Sequence, residues 1–295
     1  MRRLVHVRLT DDDGLTGYGE AAPLESYDGV SVEQVVRALE AWKPGAPPPA
    51  LPQAAAALDL AEWDLRGRRA GQPVWRLLGA STPPVVAVNA TIGAEAPAEA
   101  AAQASKARAA GFPCVKVKVG TEGDLARVAA VRESAPDIDI RLDANGAWTV
   151  PEAIGALREL ARLGIECCEE PVHGAEALAE VARAVSVPVA ADETAVLDRR
   201  ACAAVCLKIA ASGGITGLIR DAERARSVGY EVYLASSLDG PLGIAAALHA
   251  AAAVAPDRPC GLATLDRFAA PTPLPPQHGT ITAPSESGLG CRQFS

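Results

Sequence analysis

Aromatic residues are scarce in this 295-residue chain: Phe, Trp and Tyr together make up 4% of it. So few rings argue against the stacking platforms that hold single-stranded nucleic acid. An excess of basic charge is missing too. The formal net charge is −8, whereas nucleic-acid binders usually carry a basic patch. No apolar run reaches the ~20 residues that cross a bilayer. The longest, Ile244 to Ala255, is interrupted by His249. Asp11, Asp12 and Asp13 arrive before any signal-peptide core could form. The seven cysteines include no C-x-x-C pair. They read as reduced thiols of a cytoplasmic protein, most of them core filler, and this includes Cys167-Cys168. Neither nucleic acid nor membrane is an expected partner.

Lysine is the remaining scarcity. Of 28 basic residues only Lys43, Lys106, Lys116, Lys118 and Lys208 are lysines. Any task that an arginine cannot perform falls on one of them.

What is present divides in two. Leu4 to Leu9 alternates like a strand, Asp13-Gly14 is a turn, and Leu15 to Ala21 is the return strand. Helical stretches at Val32–Trp42 and Gln53–Arg68 follow, separated by a Pro-rich loop from Pro44 to Pro52. From about Pro84 short Val/Ile-rich strands alternate with Ala-rich helices. The junctions Ala107-Arg-Ala-Ala-Gly111, Ala161-Arg-Leu-Gly164 and Ala225-Arg-Ser-Val-Gly229 repeat one device: a basic last helical turn, then a Gly cap. The pattern places strands at 85–90, 114–119, 138–143, 165–169, 187–192, 205–209, 231–236 and 260–263. Eight such units predict a closed α/β barrel of the TIM type. An open doubly wound sheet is the alternative, but Asn89-Ala-Thr-Ile-Gly-Ala after the first strand is not a Gly-rich phosphate loop. The expected division is 1–80 plus about 268–295 as an α+β cap, and 81–267 as the barrel.

Strands of a parallel barrel are buried on both faces and should be almost wholly apolar. Charges on them are therefore informative. In Cys114-Val-Lys-Val-Lys-Val119 the two lysines share one face, because side chains alternate. Asp143 ends the third strand, Glu169 the fourth and Asp192 the fifth, while Lys208 lies on the sixth. The steps Lys118 to Asp143, Asp143 to Glu169 and Glu169 to Asp192 are 25, 26 and 23 residues. Each is about one βα unit, so the charges share one height at the C-terminal strand ends, where barrel enzymes build active sites.

One Asp at a strand end is more often a helix cap than a ligand, and Asp192-Glu-Thr194 could simply start a helix. Three carboxylates converging from adjacent strands are harder to dismiss. They repel one another unless a divalent cation joins them; oxygen ligands suit Mg²⁺, with Mn²⁺ as its substitute. A buried lysine can be tuned to give up its proton, which arginine cannot. Glu170 alternates to the other face. His173, His249 and His278 read as structural or surface residues. Ser236 and Ser237 bind substrate or cap a helix. Metal plus amine base suggests abstraction of a proton α to a carboxylate, through an enediolate.

The motifs in order resemble the enolase superfamily, in its muconate-lactonizing subgroup. They are Gly17-Tyr-Gly-Glu-Ala-Ala-Pro23, Ala57 to Gly67, Gly71 to Gly79, Lys116-Val-Lys118, Asp143-Ala-Asn145, Glu169-Glu-Pro171, Asp192-Glu193 and Lys208. The resemblance implies a (β/α)7β barrel with an α+β cap. It implies Asp143, Glu169 and Asp192 as Mg²⁺ ligands, Lys118 as base, Lys208 as its counterpart on the opposite face, and Lys116 as support for the substrate carboxylate. Within the subgroup, Val88-Asn-Ala-Thr91, Ser236 to Ala245 and Cys260 to Thr264 are most similar to the o-succinylbenzoate synthase family. That similarity implies a syn dehydration of a cyclohexadiene carboxylate in menaquinone biosynthesis. Asn89, Asn145, Ser236 and Ser237 would join Lys116 in holding this small carboxylate.

Dipeptide epimerase and muconate cycloisomerase activities are the alternatives in the same superfamily. The epimerases' Asp-x-Asp clamp is not matched by Ala263-Thr-Leu-Asp266. An inactive relic that keeps the fold is the alternative from another class. The family usually opens with a further strand and a lid. Met1-Arg-Arg-Leu-Val-His-Val matches its second strand, so the expectation is a truncated start, through a misplaced start codon or a real loss. Capped barrels commonly form homo-oligomers.

Overall fold

The N-terminal alternation becomes a hairpin. In the computed structural model, which describes residues 2–268 and 272–291, β1 (Val5–Thr10) and β2 (Thr16–Ala21) pair antiparallel across the Asp13-Gly14 turn. Three helices follow: α1 (Glu25–Asp28), α2 (Val32–Ala41) and α3 (Pro52–Ala70). Ser31 and Gln34 form a capping box at the start of α2, which fixes where it begins. β2 lies directly on α3. A Cβ on Gly17 would fall 2.3 Å from the Ala61 carbonyl oxygen, and one on Gly19 1.9 Å from that of Ala57. Glycine at both positions is what lets strand and helix touch backbone to backbone.

After α4 (Val74–Leu77) come β3 (Val85–Ala87), β4 (Asn89–Ile92), α5 (Pro97–Ala109), β5 (Cys114–Lys118), α6 (Asp124–Ser134), β6 (Asp139–Asp143) and α7 (Val150–Leu160). The chain continues through β7 (Ile165–Glu169), α8 (Ala175–Ala184), β8 (Val189–Ala191), β9 (Ala204–Lys208), α9 (Ile215–Ser227), β10 (Glu231–Ala235), α10 (Pro241–Val254) and β11 (Thr280–Thr282). Strands β4 to β10 form one seven-stranded parallel sheet in sequence order. Cys260 bridges Val88 on one side, and Gly261 bridges Ala235 on the other. These two residues take the eighth strand position and close the sheet into an α/β barrel.

Three expectations need correction. The single strand at 85–90 is two. β3 pairs antiparallel with β11, outside the barrel, and only from Asn89 does the chain join the parallel sheet. The partner changes along the chain: Val88 N–H donates to Gly279, beside β11, while Asn89 N–H donates to Cys260 of the barrel. The strand at 260–263 shrinks to the bridges at Cys260 and Gly261. No helix joins β8 to β9. The backbone N–H groups of Asp192 and Thr194 are taken by the Glu170 carboxylate, and that of Ala201 by the Tyr230 hydroxyl, so residues 192–203 run as a loop.

The glycine junctions behave as read. Gly111, Gly164 and Gly229 have φ of 80°, 68° and 95°, a left-handed conformation that ends each helix. All seven cysteines are unbridged and buried. The segment after the barrel returns to α3, where Leu289 N–H donates to Asp64. Of the expected cap residues 268–295, positions 269–271 and 292–295 lie outside the described residues. Among the described residues no helix is long and apolar enough to cross a membrane.

Candidate active site

Strand register aligns the first three charges of the rim. Lys118 on β5 pairs with Asp143 on β6, and Asp143 pairs with Glu169 on β7. Asp192 follows β8 directly, and Lys208 ends β9. Val115 and Val117 are buried on the opposite face of β5 from Lys116 and Lys118, as alternation requires.

The ammonium groups and carboxylates interlock. Lys116 Nζ lies 2.6 Å from Glu169 Oε1 and 2.9 Å from Asp143 Oδ2. Lys118 Nζ lies 2.5 Å from both Asp143 Oδ2 and Asn145 Oδ1. Lys208 bonds Asp192 and, at 2.5 Å, the Tyr27 hydroxyl. Burial works to raise the Asp143 carboxyl, but Lys116 and Lys118 outweigh it and hold it below the usual carboxylate range. Burial raises Glu169, and Lys116 offsets this only in part. Burial would lower Lys116 and Lys208. Asp143 and Glu169 reverse this for Lys116, and Asp192 for Lys208, so both ammonium groups stay charged.

All of these groups but Glu169, which is fully buried behind them, line a cavity of about 450 Å³. Lys116, Lys118, Asp143, Asn145, Asp192 and Lys208 line its polar end. Ser236 and Ser237 line it from the loop after β10. Asn89 does not. It pairs in register with Cys114, two residues below Lys116, and at that strand the cavity is lined by Thr91. β4 begins at Asn89, so this side chain is buried beneath the rim.

Several lining residues escaped the sequence reading. Tyr27 comes from α1, far from the barrel in sequence, and its hydroxyl donates to Asp192 Oδ2 at 3.1 Å. Its ring lies 4.8 Å from Lys208 Nζ. Burial and the Asp192 charge push the Tyr27 phenol upward, so it remains a neutral donor. His173, expected to be structural or superficial, also lines the cavity. Glu170 has a φ of +41°, uncommon for a residue with a side chain. Its buried carboxylate accepts from Asp192 N at 2.8 Å, Thr194 N at 3.2 Å and Thr194 Oγ1 at 2.5 Å, and it pairs with His173 Nδ1 at 3.1 Å. It thereby shapes the loop that carries Asp192. Leu24, Leu238, Thr264 and Arg267 line the cavity elsewhere. Asp266 instead lines a neighbouring cavity of about 300 Å³.

The donor set suits a hard cation. Asp143, Glu169 and Asp192 offer carboxylate oxygens from three consecutive strand ends. Glu193 Oε2 is buried without a hydrogen-bond partner beside them. The most compact trio among the described residues is Glu169, Asp192 and Cys206, with ligand atoms within 4.8 Å of one another. Burial raises the Cys206 thiol well above its ordinary range, so it is protonated and a poor ligand for Mg²⁺. Asp143 stands outside this trio, bridged to Glu169 through Lys116.

Comparison with known proteins agrees with this geometry. The enolase C-terminal domain-like family model matches residues 99–292, and the mandelate racemase/muconate lactonizing enzyme N-terminal domain model matches residues 49–79. L-Ala-D/L-Glu epimerase of Bacillus subtilis (strain 168) is 31% identical, covering 84% of this chain and 77% of that protein. An o-succinylbenzoate synthase of Thermobifida fusca (strain YX) is 40% identical, covering 66% of each chain. The dipeptide epimerase from Enterococcus faecalis V583 superposes with a TM-score of 0.89 at 28% identity, covering 98% of this chain and 94% of that one. In complex with Mg and the dipeptide L-Leu-L-Tyr, that enzyme superposes with a TM-score of 0.85 at 29% identity, covering 97% and 91%. Both family models match, and a solved enzyme follows nearly the whole chain. On these matches the chain belongs to the enolase superfamily, in its mandelate racemase/muconate lactonizing enzyme group.

Proposed function

We propose that the chain is a Mg²⁺-dependent lyase of the o-succinylbenzoate synthase type. The observation that carries this reading is the cavity wall beyond the lysines. It presents Thr264, Ser236, Ser237 and the cationic Arg267, while Asp266 at the end of the barrel faces elsewhere. Such a wall suits a hydroxylated, anionic substrate and, among the described residues, offers no carboxylate beside Thr264 and Arg267 to clamp an ammonium group.

Asp143, Glu169 and Asp192 would hold the cation, which, when bound, neutralises charge developing on the substrate carboxylate. Lys118 is the most exposed of the three rim lysines, at 35% against 12% for Lys116 and 8% for Lys208. In this reading its free amine takes the α-proton. The C–H electrons pass into the substrate carboxylate as an enediolate and return to form the new C=C bond as the C–OH bond breaks on the same face, and the Lys118 ammonium gives its proton to the departing hydroxyl, releasing water. Lys116 pairs with the substrate carboxylate. Lys208, buried between Asp192 and Tyr27, acts as a fixed cation beside the developing charge. Asn145 positions Lys118 through its 2.5 Å contact.

Dipeptide epimerisation is the second reading. Lys118 and Lys208 project from β5 and β9 as a base and an acid on opposite sides would, and the match to the Bacillus subtilis epimerase covers more of this chain than the match to the synthase. One experiment separates the two readings. The purified chain with Mg²⁺ is given the hydroxylated cyclohexadiene carboxylate precursor of o-succinylbenzoate and, in parallel, a dipeptide library in D₂O. Formation of o-succinylbenzoate is expected. Deuterium exchange and inversion of dipeptides without any dehydration would overturn the lyase reading.

A further inference from the structure

Below the rim, the barrel interior holds an arginine. Arg141 lies on β6 two residues before Asp143, on the same inward face, and is fully buried. Its Nε and Nη2 donate to Glu166 at 3.0 and 3.2 Å, and its Nη1 donates to the Pro259 carbonyl at 2.9 Å. Arg258 holds Glu166 from the other side. The Arg141 guanidinium carbon sits 4.2 Å from the centroid of the Tyr233 ring. Tyr233 is itself fully buried, and its hydroxyl donates to Glu169 Oε2 at 2.7 Å. A continuous column thus runs from the floor of the barrel to the rim: Glu166, Arg141, Tyr233, Glu169.

A buried ion pair is not a cheap way to fill a barrel, since apolar residues of equal volume often serve as well or better. The column ends on one oxygen of a carboxylate whose other oxygen, Oε1, accepts from Lys116. The Tyr233 hydroxyl therefore sets the rotation of the Glu169 carboxylate. The guanidinium under its ring restricts the tilt of the tyrosine in turn.

We infer that Tyr233, held by Arg141, is a positioning residue for the cation site, because it fixes the orientation in which Glu169 meets Mg²⁺. The inference rests on the reading of Glu169 as a cation ligand. Groups that orient a ligand from behind typically change metal affinity by roughly 10- to 100-fold when removed.

The test is calorimetric titration of the full chain with Mg²⁺ alone, using the wild type, Tyr233→Phe, Arg141→Met and the double variant. Tyr233→Phe adds no atoms and keeps the ring over the guanidinium. Its Mg²⁺ dissociation constant is expected to rise roughly tenfold, with circular dichroism unchanged and the melting temperature of the metal-free protein lowered only by the loss of one buried hydrogen bond. Arg141→Met is expected to weaken binding in the same direction, and the double variant to be no weaker than Tyr233→Phe, since Arg141 acts through the hydroxyl. Arg141→Lys replaces Arg141→Met should the latter not fold. Unchanged Mg²⁺ affinity in Tyr233→Phe would overturn the inference. Additive losses in the double variant would remove Arg141 from it. Absence of Mg²⁺ binding by the wild type would instead overturn the cation reading of Glu169 itself.

Discussion

Tyr27 stands against Lys208, with its hydroxyl 2.5 Å from the Lys208 ammonium and its ring 4.8 Å away. The same hydroxyl donates to Asp192. One residue of the N-terminal layer therefore touches both a proposed catalytic cation and a proposed metal ligand. Tyr27→Phe removes the hydroxyl and leaves the ring. A hydrogen bond to a charged group is worth about 1.5–3 kcal/mol, so kcat/KM should fall by roughly ten- to a hundred-fold. Steady-state kinetics on the variant check this. Wild-type kinetics would mean that the contact has no part in turnover.

The two lysines of the proposed mechanism make a stricter demand. Lys118→Ala and Lys208→Ala should each lower turnover by roughly a hundred- to ten-thousand-fold, with circular dichroism unchanged. Lys118→Arg should not restore activity, because a guanidinium does not release its proton near neutrality. Full activity in either alanine variant would sink the two-lysine scheme.

Chelation tests the carboxylates. EDTA should abolish turnover, and added Mg²⁺ should restore it. The cation should also protect the fold, by about 2.7 kcal/mol at a concentration a hundred times its dissociation constant. Asp192→Asn should weaken that protection in a thermal melt. Turnover indifferent to EDTA would remove the metal from the mechanism.

His249 supplies a pH prediction away from the site. It is buried in α10, and its Nδ1 accepts the Trp75 N–H at 3.1 Å. Burial pushes its pKa down from 6.5 to about 4. The folded chain thus favours neutral imidazole, whereas the unfolded chain takes up a proton below pH 6.5. The contribution to stability is whole above pH 6.5 and is lost as the pH falls towards 4, amounting at most to about 3 kcal/mol. Urea midpoints should decline across this window more steeply in the wild type than in His249→Asn, whose amide oxygen can still accept from Trp75. Parallel declines would show that His249 is not responsible.

The rim was legible because a parallel barrel repeats. A charge in a strand that should be apolar is conspicuous, and the unit length fixes its height, so Lys118, Asp143, Glu169, Asp192 and Lys208 could be aligned without coordinates. Arg141 obeys the same rule, since it shares parity with Asp143, but in mid-strand it lies below the height at which the rim charges align. Tyr27 was not legible: 165 residues separate it from Asp192, and no local periodicity reports a contact between layers. Nor could the sequence reveal that 85–90 divides at Val88, because the apolar run Val85-Val-Ala-Val88 continues up to the point where the strand exchanges one partner for another. His173 was set aside for want of a spaced partner. Its partner, Glu170, lies only three residues away, in a turn whose left-handed backbone no composition count exposes.

The bare contact between β2 and α3 bears on how the tyrosine reaches its place. No side chain intervenes at Gly17 or Gly19, so the strand that leads to Tyr27 is gauged against the backbone of α3 itself. α3 is tied in turn to α9, the helix that follows Lys208: Asp59 accepts from Thr216 N–H at 3.1 Å, and the Trp63 indole donates to Thr216 Oγ1 at 3.0 Å. The spacing between phenol and ammonium is therefore set by backbone against backbone with one polar clasp. A single methyl group at Gly19 would meet the Ala57 carbonyl oxygen and push the strand, and with it the hydroxyl, away from the amine it serves.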